Sequence, residues 1–289
     1  MRRIILSRKG FDSSTGKTPS RASPIFKDGS IFSIPVQLPN DTDPDTYGNV
    51  QYGGINAYEA VKYAYKNSKS GSPYNKEERC HFDPNLSKLP GVFGQQGADQ
   101  GVLEKCGVDE GDLFLFFGWF RTYGGDHIKI NAHHLFGWLQ IDKIIKGTAQ
   151  IKNYCDAMKI QHPHAQGDWK QNVLYVSSND LKTDHGILKG KGAGFFKTTD
   201  EQLILSCNQA ERKSLWQFPE EYFRSIADSD SAHEMFVAHD SKSKGPNAWL
   251  DLKNLTIDTN CGYWQELALD SHKFPTLEKW AYNLIRNLG

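Results

Sequence analysis

The sequence predicts an α+β fold with a β-rich centre, peripheral helices and an amphipathic C-terminal helix, and three observations carry that expectation. From Gly111 onward the chain is aromatic and β-branched in two runs, Leu113 to Phe120 and His133 to Ile145, separated by a turn signal at Gly124 and Gly125. Helical spacing marks two other segments: Ile55, Tyr58, Val61 and Tyr65 with alanines at 57, 60 and 64, and Leu277, Trp280, Ala281, Leu284, Ile285 and Leu288 behind Pro275. Glycine and proline are spread along the whole length with no repeat or low-complexity tract, so residues 1–289 read as one compact domain with room for two lobes.

In chain order, Arg3 to Leu6 opens as a strand. Gly10 to Gln51 is rich in Ser, Asp, Pro and Gly and reads as loop, with Ser30 to Val36 alternating as a short strand. A helix covers Ile55 to Tyr65, a polar loop spans Asn67 to Glu78, and a second helix runs from Gln95 to Cys106 and closes at Gly107. The two aromatic runs pair as a hairpin. Ile151 to Ile160 is a short helix, Asn172 to Ser178 and Gln202 to Cys207 are strands, and Pro219 starts a brief helix through Phe223. The Gly111-Asp112 turn feeding an aromatic strand has the texture of a small barrel. It resembles the PUA-like barrels, which hold a flipped or modified base.

Composition excludes several classes. Lys plus Arg number 34 against 34 Asp plus Glu, which is not the basic excess of a non-specific nucleic-acid coat protein. The apolar run Leu113 to Phe120 is too short to span a bilayer, and the N-terminal segment has no apolar core of a secretory signal, so a cytoplasmic location without membrane association is expected. Five cysteines, far apart and never in a CxxC spacing, fit reduced thiols. Residues 1–27 carry a local excess of six positive charges. That segment reads either as a solubilising terminus balanced by Asp41, Asp43 and Asp45 or as an anion-binding edge.

Candidate chemistry rests on histidines, cations and tryptophans. Trp119 and Trp138 suit base stacking, although alternating aromatics in a strand are usually core. In an extended segment His162 and His164 point to one side, with Pro163 stiffening the backbone between them. His133 and His134 point to opposite faces of a strand, so one of them, His134, is the candidate. No HExxH, HxxxH or CxxC is present, so no metal is expected and no cofactor is indicated; the histidines suit phosphate binding, proton transfer or loop hydrogen bonds. His81 and Asp83, two apart before Pro84, form either a base with its orienting acid or, as preferred here, a turn. Lys189 to Gly194 (KGKGAG) reads as a turn rather than a phosphate cradle.

The motifs SRKGFDSSTG at 7–16, PIFKDGSIFSIPV at 24–36, GVFGQQGADQG at 91–101, GDLFLFFGWFR at 111–121, the segment around His133 to Ile144 and HPH at 162–164 arrive in the order of a known family. In these the chain resembles the third family of nucleotide modification associated domains, from about Ser7 to Gln265. On this resemblance Arg8, Lys9 and Asp12 fall in the opening motif, Gln95 and Gln100 in the glutamine segment, Arg121 after the aromatic strand, and His134, Trp138, His162 and His164 in the central motifs. Arg21-Ala22-Ser23 is inserted before Pro24 relative to the family's pattern, which shifts the amides of that loop. The resemblance implies association with enzymes that alter DNA bases in phages and bacteria, without implying a reaction.

Two functions follow. The first is a protein acting on a nucleotide or DNA base, with His134, His162 and His164 moving protons and Arg8, Lys9, Asp12, Gln95, Gln100, Arg121 and Trp138 contacting substrate. The alternative is a non-catalytic reader of modified bases in an aromatic-lined barrel. The expected partners are a nucleotide or base and the DNA-modification enzymes.

Overall fold

The computed structural model describes residues 3–11, 21–37, 43–69, 71–123, 129–167, 169–207, 212–237, 250–259 and 265–289. Its centre is an eight-stranded mixed sheet made of β1 (Arg3–Arg8), β2 (Ser23–Ile25), β3 (Val92–Gln95), β4 (Leu113–Thr122), β5 (Asn131–Lys146), β6 (Val173–Ser177), β7 (Ala193–Phe195) and β8 (Glu266–Asp270). The path runs β8-β1-β4-β5-β6-β3, with β7 on β5 and β2 on β4. β1 lies parallel to β4, with Ile5 opposite Phe114, and antiparallel to β8. β4 and β5 pair antiparallel as expected, Leu115 opposite Trp138, with a bulge after Phe116. The Gly124-Gly125 turn lies outside the described residues. Ile4 to Leu6 and Leu113 to Phe117 are fully buried. A strand covered on both faces requires such an unbroken apolar run, and each large side chain contributes about 1.5–3 kcal/mol on burial.

The sheet curls without closing. Phe93 of β3 meets Phe114 and Phe116 of β4 edge-on, each at 5.0 Å, although two strands separate β3 from β4 in the sheet. The edge strands β3 and β8 form no ladder among the described residues and meet through side chains at one corner, Gln95 and Glu266. The expected barrel is therefore not formed. Aromatic rings fill the curl, and the chain leaves β3 through Gly97, at φ +58°, into α2 (Gly97–Lys105), which packs onto β8.

The helices match their sequence signals. α1 (Ala57–Tyr65) is capped by the Asn56 side chain, and α2 closes at Gly107 with φ +67°. α3 (Thr148–Met158) covers the outer face of β3 and β6, joining Ile151 and Cys155 to Val92, Leu174 and Val176. α4 (Glu220–Ala227) follows Pro219, and α5 (Pro275–Leu288) buries its predicted stripe except for half-buried Leu288. Among the described residues no helix is long and apolar enough to cross a membrane. Two expected strands are absent. Ser30 to Val36 makes only isolated bridges, to Ile25, Thr198 and His81, because successive residues meet different neighbours and Pro35 has no N–H to extend a ladder. Gln202 to Cys207 begins instead in a 3₁₀ turn (Glu201–Leu203) capped by Asp200. A second apolar cluster gathers around α1 with Phe32, Ile34, Tyr47, Cys80 and Phe82.

Candidate functional site

The extended segment Cys80 to Asp83 carries the first half of the site. Cys80 and Phe82 are buried in the cluster around α1, so the alternation of an extended chain directs His81 and Asp83 to the other side, against β3. Asp83 accepts the Gly94 amide on both carboxylate oxygens, at 3.0 and 3.1 Å. Three imidazoles converge on it. His162 Nε2 lies 3.3 Å from Oδ1, and His164 Nε2 and His81 Nε2 lie 3.5 and 3.7 Å from Oδ2. A Cβ at Gly94 would come within 2.3 Å of the His164 ring, so glycine is what lets that ring lie on the strand.

The second half follows α3. The His162–His164 backbone is not extended as expected; His162 caps a 3₁₀ turn (Pro163–Ala165), and its Nδ1 accepts the His164 amide at 3.2 Å. Both rings nevertheless reach the same carboxylate, on different oxygens. His164 Nδ1 is 2.6 Å from Asn172 Oδ1, and the Asn172 amide donates to Thr148 Oγ1 and the His164 carbonyl, which fixes its orientation. His81 Nδ1 faces Asp43 Oδ1 at 3.3 Å. The half-buried Trp169 ring stacks on His164 at 5.2 Å and 15°.

Charge in this cluster is set by burial and proximity. Burial pushes His164 down to about 4. Burial opposes charge on His81 as well, but hydrogen bonds to Asp43 and Asp83 outweigh it and raise the ring to about 9. Burial also works against ionised Asp83, yet His162, His81 and His164 hold its carboxyl far below the usual range. Burial raises nearby Asp45. The ligand atoms of His81, Asp83 and His164 lie within 4.8 Å of one another, a grouping able to hold a metal ion.

A second polar cluster lies on the opposite face of β3. Gln95, next to Gly94, points into the curl with Phe93. Buried Glu266 accepts from Ser7 Oγ at 3.0 Å, Lys9 Nζ at 2.8 Å and Gln95 Nε2 at 2.7 Å. Burial raises Glu266, and Lys9 counters part of that rise. The Lys9 ammonium also sits over the Phe93 ring at 5.0 Å. Thus Lys9 and Gln95 do meet, on a carboxylate the sequence motifs did not single out.

The other expected site residues are dispersed. Gln100 is buried and ties α2 to β6 through the Tyr175 hydroxyl at 3.0 Å. Arg121 is exposed at the far end of β4, 5.7 Å from the Tyr123 ring. His134 is buried between Leu135 O and Thr199 Oγ1, at 2.5 and 2.9 Å, and burial lowers it to about 4. Trp138 is packed against Phe196 and Gly194 with its indole N–H on Lys191 O; it is core, not a stacking platform. Trp119 is half-buried under the Lys213 ammonium, 4.3 Å from the ring. Arg8 ends β1, where its charge adds to burial in lowering His133. Asp12 lies outside the described residues. At KGKGAG, Asp180 takes both Lys189 Nζ and the Gly190 amide, so the loop is the expected turn.

A cavity lined by Gln202, Gln217, Pro219, Arg224, Lys253 and Trp280 contains none of the residues in either cluster. Sequence reasoning did not select Asp43, Asn172, Ser7 or Glu266, and it preferred a turn at His81-Asp83. That turn exists, Asp83 N donating to His81 O at 3.1 Å, alongside the pairing of the two side chains.

The sequence model for nucleotide modification associated domain 3 matches residues 3–252, a span that includes the whole histidine cluster and, of the second cluster, Ser7, Lys9 and Gln95 but not Glu266. The chain belongs to that family. No curated protein and no solved structure matches it. Membership connects the chain with nucleotide modification, and within this family member the motifs GVFGQQGADQG and HPH supply Gly94, His162 and His164 to one buried centre.

Proposed function

We propose that the protein acts on a nucleotide or DNA base, with His81, Asp83, His162 and His164 as its reactive centre. The observation that supports this reading is the convergence of three imidazoles on one buried carboxylate in a chain of a nucleotide-modification family. Apolar residues pack a core more cheaply, whereas a buried titratable cluster provides groups that hold and pass protons away from bulk water. Among the described residues of the cluster, His81, with a side chain 11% exposed, and the half-buried Trp169 lie nearest solvent, so a substrate enters there, where Trp169 offers aromatic surface to a planar base. Lys9 and Gln95 are engaged with Glu266 and serve to hold β1, β3 and β8 together rather than to contact phosphate. A reader that stacks a base on Trp138 has no support, because that ring is buried.

The test is nucleoside mass spectrometry of DNA and free nucleotides from bacterial cells producing the wild type or Asp83→Asn, which preserves volume. An altered nucleoside present only with the wild type supports the reading. Identical profiles, together with no binding of any nucleotide or oligonucleotide by the purified protein, would overturn it.

A further inference from the structure

The proton positions in the histidine cluster follow from their partners. Asn172 Oδ1 is a carbonyl oxygen without hydrogen, so the close contact at 2.6 Å requires the proton of His164 on Nδ1. In the neutral ring the lone pair is then on Nε2, directed at Asp83 Oδ2 3.5 Å away. His81 repeats the pattern: Nδ1 faces the Asp43 carboxylate, and Nε2 faces the same Asp83 Oδ2 at 3.7 Å. A proton on His81 Nε2, or a metal ion in its place, lies between the His164 lone pair and the Asp83 oxygen and keeps them from repelling. His162 differs, since its Nδ1 accepts the His164 amide and its proton is therefore on Nε2, facing Asp83 Oδ1.

Asp43 is 1% exposed, and its Oδ2 has no hydrogen-bond partner among the described residues. The Arg79 guanidinium nearby donates to the Asp43 main-chain carbonyl. Among the described residues the region thus keeps one buried carboxylate oxygen, Asp43 Oδ2, and one buried ring nitrogen, His162 Nε2, without hydrogen-bond partners, so its polar groups are not fully satisfied by one another.

We propose that His81 Nε2, His164 Nε2 and Asp83 Oδ2 bind one divalent first-row transition-metal ion. Asp43 and Asn172 orient the two rings, and His162 faces the carboxylate's other oxygen at 3.3 Å. Nitrogen and oxygen ligands about 2.0–2.2 Å from a tetrahedral ion stand roughly 3.3–3.6 Å apart, close to the nitrogen–oxygen separations of 3.5 and 3.7 Å here. Ring nitrogens held on their far side by a carboxylate or amide oxygen are the usual outer support of metal-bound histidine. Two imidazoles and one carboxylate leave a further coordination position, for water or an oxygen or nitrogen of the substrate, on the side of His81 and Trp169. Metal binding here goes beyond the nucleotide reading and is measured without any substrate.

Chelator-treated full-length protein is titrated separately with Zn²⁺, Mn²⁺, Co²⁺ and, under anaerobic conditions, Fe²⁺, and bound metal is counted by elemental mass spectrometry. The expected result is one equivalent of at least one ion, a rise in melting temperature with metal concentration, and X-ray absorption showing imidazole nitrogen in the first shell. His81→Gln and His164→Gln remove this binding, and Asn172→Leu weakens it by about 10–100-fold. A folded wild type that takes up none of the four ions, or a bound ion with no imidazole ligand, would overturn the assignment and show the cluster to be an imidazolium–carboxylate network. A folded His164→Gln protein with wild-type affinity would do the same. These readouts on the wild type decide the matter even where a variant fails to fold. A metal-free result leaves the nucleotide experiment standing, and unchanged nucleosides leave the metal result standing.

Discussion

Two polar clusters share strand β3, one on each face, and they differ in how their charge is balanced. On the inner face a single carboxylate, Glu266, has a single ammonium, Lys9, with Ser7 and Gln95 as neutral donors. On the outer face three imidazoles crowd one carboxylate, and a second carboxylate, Asp43, keeps an oxygen unpaired. The first arrangement places all three donors on one oxygen, leaves Glu266 Oε2 without a hydrogen-bond partner among the described residues, and ties three strands together at the corner where the sheet fails to close. The second brings His81, Asp83 and His164 within ligand distance of one another, and that separates a candidate reactive centre from a structural tie. Neighbouring residues, Gly94 and Gln95, serve the two because a strand sends alternate residues to opposite faces.

Substitutions test this contrast. The largest effect is expected from Asp83→Ala, which leaves three buried rings and the Gly94 amide without their acceptor; a loss of about 3–5 kcal/mol in denaturant unfolding of metal-free protein is predicted. A loss below about 1 kcal/mol would mean that the outer cluster is not held by its carboxylate.

Acid response comes next, with His134, which belongs to neither cluster, as the calibrating case. Its folded pKa of about 4 lies below the ordinary 6.5, so the unfolded chain binds a proton first as pH falls. Its contribution is present in full above pH 6.5 and is lost as pH drops from 6.5 through 4, at no more than about 1.4 kcal/mol per pH unit. His134→Gln flattens this limb of the stability curve, measured by urea unfolding across that window; an unchanged slope would contradict the buried neutral ring.

On the inner face, Lys9→Met leaves Glu266 buried without its cation and is expected to cost about 2 kcal/mol, because protonation of the carboxyl relieves part of the loss. Lys9→Met with Glu266→Gln should recover most of that loss, since a neutral amide in the carboxylate's place no longer requires a cation. A double variant as unstable as the single one would show that the corner needs its ion pair. Arg121→Ala, at an exposed position, should move stability by less than about 0.5 kcal/mol and leave metal uptake unchanged, as thermal melts and metal counting would show.

How much of the site was legible varies with the range of the signal. His162 and His164 stood out because they are two residues apart, and Lys9 and Gln95 because they sit in dense motifs. Asp43, the His81–Asp83 pair and Asn172 reach the same few ångströms from three separate segments, and no local spacing relates one segment to another. His134 and Trp138 misled for a related reason. Both are conspicuous in the aromatic strand β5, but a strand inside a curled sheet is covered on both faces, so their polar atoms are satisfied internally by Leu135, Thr199 and Lys191. The barrel failed as an expectation because the hairpin β4–β5 is a local signal, whereas closure depends on β3 and β8, edge strands of four and five residues.

Hydrophobic periodicity alone determined the helices α1 and α5, the aromatic hairpin and the mixed class of the fold, because burying an apolar face is a local requirement that the chain repeats every two or 3.6 residues. Only the tertiary structure decided which ionisable groups meet. Electrostatic partnership depends on distance in space, and the folding of the 43–83 segment against β3 brings carboxylate and imidazole together from positions that share no pattern along the chain.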